Sequence, residues 1–264
     1  MDIIEKFVNL DISGKIQFIF IVIAFVFMVF SFLGWILELF YRRFCSQKKW
    51  VNPGFLRGPY LPIYGIGVVL LTAFIFIMTI FENVFFSKII FHLVIIIGIG
   101  ILMTIIELIA GLIFIKKMNI RLWDYSDCKF NFQGIICLKF SIYWTILGAI
   151  FYLLLFNPIV NLIISFITLD WIMIAVFLMG IFYGIFIIDL INSLNILNKI
   201  KAFAKENGII LKIEKFKLHI KEKIDAKEYK FLSPFKSNVS IKEHLKSFIL
   251  EQKDKIERIR NKKK

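Results

Sequence analysis

The sequence predicts an all-α fold: a polytopic membrane helix bundle of about five transmembrane helices, followed by a basic helical cytoplasmic tail. Three observations predict it. Apolar residues make up 59% of the 264 residues, against roughly 45–50% in a soluble domain, and the mean hydropathy is +0.80. The apolar residues cluster into runs long enough to cross a bilayer, which takes about 20 residues each. Basic residues crowd into alternate loops, the pattern of a chain that threads a membrane back and forth.

The spans are expected at about residues 16–40, 62–81, 89–115, 135–156 and 171–192. They form a transmembrane domain over 1–192, with the tail over 193–264. The first run is longer than a signal h-region and no small-x-small cleavage site follows it, so it reads as a span. Pro62 opens the second span, where a missing N–H costs little. Span five carries Gly180-x-x-x-Gly184, a spacing that permits close helix approach and is expected to serve packing within the chain.

Loop charge orients the bundle. Arg42, Arg43, Lys48, Lys49 and Arg57 follow span one, and Lys116, Lys117, Arg121 and Lys129 follow span three. The other two loops hold only Lys88. The tail has 20 Lys and Arg against 9 Asp and Glu, which supplies +11 of the chain's +14. The positive-inside rule then places the N-terminus outside and the C-terminus in the cytoplasm of a multi-pass cell-membrane protein. Trp35, Tyr41, Trp50, Tyr60, Tyr64, Trp123, Tyr125, Tyr143 and Trp144 fall near the cytoplasmic interface, where amphipathic rings prefer to sit.

The tail shows two apolar stripes at helical spacing. One is Ile209, Ile213, Phe216, Ile220 and Ile224; the other is Ile241, Leu245, Phe248, Gln252, Ile256 and Ile259. Ser240-Ile241-Lys242-Glu243 reads as a capping box opening the second helix. Basic amphipathic helices beside a bilayer rest on anionic headgroups or pair with a partner helix. No nucleic-acid motif accompanies the charge, so nucleic acid is not an expected partner.

Enzyme signatures are missing. No phosphate-cradling Gly-x-x-x-x-Gly-Lys-Ser/Thr, His-Glu-x-x-His or Gly-x-Ser-x-Gly occurs. Cys45, Cys128 and Cys137 share no metal-ligand spacing, so no metal, cofactor or catalytic residue is assigned. Acids inside spans are the sharper signal, because an ionised side chain at a helix centre costs at least about 2.5–3.5 kcal/mol. Glu107 lies eight residues before Ile115 among apolar neighbours. It reads either as a cavity-lining carboxylate or as a structural hydrogen-bonding group. Glu38 stands four residues before Arg42, which a helical ion pair would explain. Asp189 lies near the inner end of span five, within reach of water. In the second basic loop, polar turn formers alternate with large aromatics. This suits a loop folded back against the inner face, with Asp124 and Arg57 able to pair.

The strongest local feature is residues 52–67, which hold three of the five prolines and four of the fourteen glycines. Such punctuation marks a shaped loop leading into a helix. The chain is identified as resembling the type IV ABC-transporter permease family, the CmpB-type membrane proteins. The resemblance rests on Gly34-Trp35-x-x-Glu38, on Glu107, on Trp123-Asp124-Tyr125-Ser126 and on Asn131-x-x-Gly134. It rests also on a loop block with Asn52, Gly54, Phe55, Leu56, Gly58, Pro59, Pro62, Ile63, Tyr64, Gly65 and Gly67. Arg57 lies within that block. The resemblance covers roughly residues 20–155, leaving span five and the tail outside, and departs at Pro53, where the family pattern has Arg. It implies a permease-like subunit that moves a substrate with a separate ABC-type ATPase. Two other readings stand beside it. One is a membrane scaffold or sensor that recruits a partner through its basic tail. The other is a membrane-embedded enzyme acting on lipid headgroups, with Glu38, Arg57, Asp124 and Asn131 as candidates.

Overall fold

A computed structural model describes residues 11–85, 87–168, 172–224, 230–235 and 239–261, with side chains except those of 163–168, 172 and 255–261. The expectations that span five starts at Trp171, and that Ile256 and Ile259 extend the second stripe, lie outside the described residues and side chains.

The chain is helical throughout its apolar runs. In order come α1 (Ile12–Tyr41), continued by a π turn at Arg42–Ser46, then α2 (Pro62–Ile80), a 3₁₀ turn at Glu82–Val84 and α3 (Lys88–Met118). Three two-residue strands follow: β1 (Ile120–Arg121), β2 (Asn131–Phe132) and β3 (Ile136–Cys137). Next are α4 (Leu138–Ile150), a π turn at Phe151–Leu155, α5 (Phe156–Thr168) and α6 (Ile172–Glu206). The end of the chain holds β4 (Leu211–Lys212), α7 (Ile213–Lys223) and α8 (Ile241–Asn261). Five helical stretches are long and apolar enough to cross a membrane. Helices suit that solvent because they satisfy every backbone group internally.

Two boundaries differ from the sequence reading. Residues 157–168, read as loop, are helical in α5. The helix is continuous through this point: the π turn at Phe151–Leu155 leads straight into α5, with the Phe156 N–H donating to the Phe151 carbonyl, and π turns accommodate a backbone that lacks a regular hydrogen bond. α6 does not stop near residue 192 but continues to Glu206. No Pro or Gly interrupts 193–206, and Leu197, Ile200 and Ala204 keep helical spacing.

The chain divides into two units, each with its own core. Unit one comprises Met1–Trp35, Tyr60–Ala110 and Tyr125–Ile188. Its core joins Leu71 and Ile75 of α2 with Phe91, Ile95 and Ile99 of α3 and Phe151 of the second π turn. The motif residues of α1 and α2 make close helix contacts here. Tyr64 packs directly against Gly34, where a Cβ would overlap its side chain, and a Cβ on Gly65 would come within 2.7 Å of the Phe27 carbonyl oxygen. The two helices approach closely enough for the Leu61 N–H to donate to the Ser31 carbonyl at 2.9 Å. Met103 of α3 packs at Gly67. Gly180 and Gly184 behave otherwise: a Cβ on either meets nothing within 4 Å. The expected packing of this pair within the chain is therefore absent among the described residues.

Unit two comprises Ile36–Pro59, Gly111–Asp124 and Asp189–Lys264. Its core is built from Leu197, Ile200 and Phe203 of α6, Ile213, Phe216 and Ile220 of α7, and Leu245 and Phe248 of α8. The stripe residues Ile213, Phe216 and Ile220 of α7 and Leu245 and Phe248 of α8 are thus covered within the unit-two core. β1 pairs with β4 in parallel, Ile120 opposite Leu211. Ser240 caps α8 as the motif implies, its Oγ accepting the Glu243 N–H at 3.3 Å.

Gly65→Val is expected to destabilise the protein by about 1–3 kcal/mol, the usual range for overpacking. Gly184→Val should change stability by less than about 0.5 kcal/mol. Thermal unfolding of the two purified variants checks this, and equal losses would remove the close-approach account of Gly65.

Candidate functional site

In unit two the loop of residues 52–58 is held by side chains from three directions. Asn52 is fully buried, and its Nδ2 donates to the carbonyls of Leu56 at 3.1 Å and Arg57 at 3.0 Å. Gly54 takes φ +70°, a left-handed backbone that glycine adopts without steric cost. Asp189 of α6 reaches the far side of the loop, where its Oδ2 accepts the Arg57 N–H at 2.9 Å and the Gly58 N–H at 2.8 Å. Its Oδ1 accepts the Ser193 hydroxyl one turn later at 3.0 Å. Asp189 is therefore buried in protein, at 9% exposure, rather than bathed in water.

Lys217 of α7 holds the near side. It is 1% exposed, and its Nζ donates to the carbonyls of Asn52 at 3.0 Å and Gly54 at 2.5 Å. Burial pushes its pKa down to about 7, with the nearby Arg42 cation lowering it further and Glu214 opposing. Lys221, one turn on, donates to the Trp50 carbonyl at 2.6 Å.

The Glu38–Arg42 pair forms as the spacing implies, at 3.0 Å. Arg42 also pairs with Glu214 of α7, whose second oxygen accepts from Gln47 Nε2 at 3.3 Å. Asp124 pairs with Arg121 at 3.1 Å and with Lys212, in place of the Arg57 partner that the sequence suggested.

Unit one holds the other candidates. Glu107 of α3 is 4% exposed and accepts the Tyr125 hydroxyl at 2.8 Å. Two of the motif blocks therefore meet at one hydrogen bond. Tyr125 stacks on Phe140 with ring centroids 4.2 Å apart, and its N–H donates to the Gly134 carbonyl. Asn131 knits the same loop: Oδ1 accepts the Gly134 N–H at 3.0 Å and Nδ2 donates to the Cys128 carbonyl at 2.7 Å. Gly134 sits at φ +65°. Tyr64 rests at 5.4 Å against Trp144. Among the described residues no cluster of His, Cys, Asp and Glu could hold a metal ion.

The arrangement orders two loops through buried carboxylates and a buried ammonium. Glu38 falls in unit two and Glu107 in unit one. A family model described as Putative ABC-transporter type IV matches residues 25–194. The chain belongs to this family. The type IV match runs into α6 and ends at residue 194, beyond the residue 155 reached by the sequence reading, and so takes in Asp189 and Ser193. Glu214 and Lys217 lie past its end. No curated protein and no solved structure matches the chain.

Sequence reasoning missed Lys217. The signal was available, since Lys217 is four residues from Ile213 and three from Ile220. It thus stands on the apolar stripe itself, where a cation must be buried or shielded.

Lys217 gives a pH signature. Below about pH 7 it carries its proton in both folded and unfolded chains, and the folded state bears the full burial cost. Between about 7 and 10.5 the unfolded lysine keeps a proton that the folded one releases. Stability is expected to rise across that window by up to about 1.4 kcal/mol per pH unit. Lys217→Met should flatten that rise relative to the wild type. Denaturant unfolding in mixed micelles along a pH series checks it, and identical slopes would contradict the burial of this amine.

Proposed function

We propose that the chain is a permease-like membrane subunit that moves its substrate with a separate ABC-type ATPase. Membership of the transporter family and five membrane-compatible helices support the reading. The observation that carries it to particular residues is Glu107, a carboxylate buried in the apolar α3 and linked to a loop motif through Tyr125. Such intramembrane acids mark substrate or ion pathways in transport proteins. In this reading Glu107 belongs to the path, Tyr125 orients it, and Glu38 with Arg42 stabilises the inner end of α1. The subunit is placed in the cell membrane, with its N-terminus outside and its C-terminus in the cytoplasm, on loop charge. The ATPase docks on the cytoplasmic side.

The scaffold reading draws on the basic exposed faces of α7 and α8. Deleting the tail would not isolate that role, because the deletion also removes Lys217 and much of the unit-two core. For the headgroup-enzyme reading, Glu38 and Asp124 are engaged in ion pairs and Asn131 in backbone hydrogen bonds, which suits supporting roles better than catalysis.

Gentle purification in nanodiscs should yield a stoichiometric ABC-type ATPase by mass spectrometry, and an intact protein that carries none would count against the permease reading. Glu107→Gln keeps an acceptor for Tyr125 and removes the charge. It is expected to cost less stability than Tyr125→Phe while stopping substrate-stimulated ATP hydrolysis by the complex. Tyr125→Phe should instead cost about 1–3 kcal/mol of stability, because it leaves a buried acceptor short of a donor. Full stimulated hydrolysis in Glu107→Gln would return Glu107 to a purely structural role.

A further inference from the structure

Unit two contains a cavity of about 790 Å3, within the roughly 300–1,000 Å3 typical of small-molecule sites. Its walls are of two kinds. Phe203 of α6, Leu245 of α8 and Phe235, in the turn before α8, give an apolar floor, each at most 9% exposed. Arg57, Lys199 and Lys242 bring three cations to the lining against the one carboxylate of Glu206. Among the described residues no hydrogen bond or ion pair is made by the charged side-chain group of any of the three.

Arg57 is the most constrained of them. Its backbone N–H is fixed by Asp189 at 2.9 Å and its carbonyl by Asn52 at 3.0 Å, so the guanidinium projects from a held point. A guanidinium on a fixed backbone suits bidentate contact with phosphate oxygens. Ile241 and Lys242, the first two residues of the 21-residue α8, also line the cavity. The positive end of that helix dipole therefore adds to the same potential. Three cations facing one acid favour an anion, and the aromatic floor favours an apolar body attached to it.

We propose that this cavity binds an anionic amphiphile, a phosphate monoester whose phosphate sits among Arg57, Lys199 and Lys242 and whose apolar part lies on Phe203, Phe235 and Leu245. A lipid phosphate and a free phosphate share the anionic half of this chemistry; only the lipid-like ligand uses the floor. The site lies wholly within unit two and does not rest on the permease reading.

Titration calorimetry on the full chain in zwitterionic-lipid nanodiscs, with empty nanodiscs subtracted, tests it using octyl phosphate, inorganic phosphate and octanol. Saturable binding of octyl phosphate is expected, at least about tenfold tighter than inorganic phosphate, with no saturable octanol signal. Arg57→Gln and Lys242→Gln should each weaken octyl phosphate by about tenfold, the loss of one charge-assisted hydrogen bond. Both variants should keep their thermal stability, since Arg57 serves the loop through its backbone and Lys242 is exposed. Absence of saturable octyl phosphate binding overturns the proposal. So does equal affinity for inorganic phosphate, or unchanged binding in both stable variants.

Discussion

Peptide N–H and C=O groups cannot be buried without partners, and a loop cannot supply them to itself as a helix does. Each unpaired buried group costs about 1–3 kcal/mol. Residues 52–58 meet this constraint with two charges of opposite sign. The Asp189 carboxylate takes the N–H groups of Arg57 and Gly58, and the Lys217 ammonium takes the carbonyls of Asn52 and Gly54. Anion meets donors and cation meets acceptors, so each charge regains in hydrogen bonds part of the hydration it lost. The rest of unit two is consistent with this arrangement: α6 must run on to present Asp189 and Ser193, and α7 must pack inward to present Lys217.

The two units use acids differently. In unit two Glu38 and Glu214 flank Arg42, and removing the cation would leave two carboxylates facing each other. In unit one Glu107 is held through the neutral hydroxyl of Tyr125. The first is a structural staple. The second ties a carboxylate of α3 to a loop motif through a neutral donor.

Much of the fold was legible in the sequence because bilayer physics writes it in long apolar runs. Pro62 at the start of α2 and Ser240 at the cap of α8 were legible for local reasons, since each acts on backbone groups a few residues away. The Glu38–Arg42 pair followed from helical spacing. What lay hidden were partners far apart in the chain: Asp189 with residues 57 and 58, Lys217 with 52 and 54, Glu107 with Tyr125. Hydropathy reports that a residue resides in an apolar run, and says nothing of what it faces. The tail stripes show the same limit. Their periodicity marks them as amphipathic, but the α6 residues packed with them, Leu197 to Ala204, fall in the stretch assigned to the basic tail.

Unit two is assembled from three separate stretches of chain, the last of which begins at Asp189. This sets an order of events during synthesis. The first two stretches leave the ribosome long before Asp189, Lys217 and Leu245 exist to complete their core. Until then the Asn52–Gly58 backbone lacks the hydrogen bonds that Asp189 and Lys217 supply. Unit two can therefore close only after α7 and α8 have followed α6 out of the ribosome.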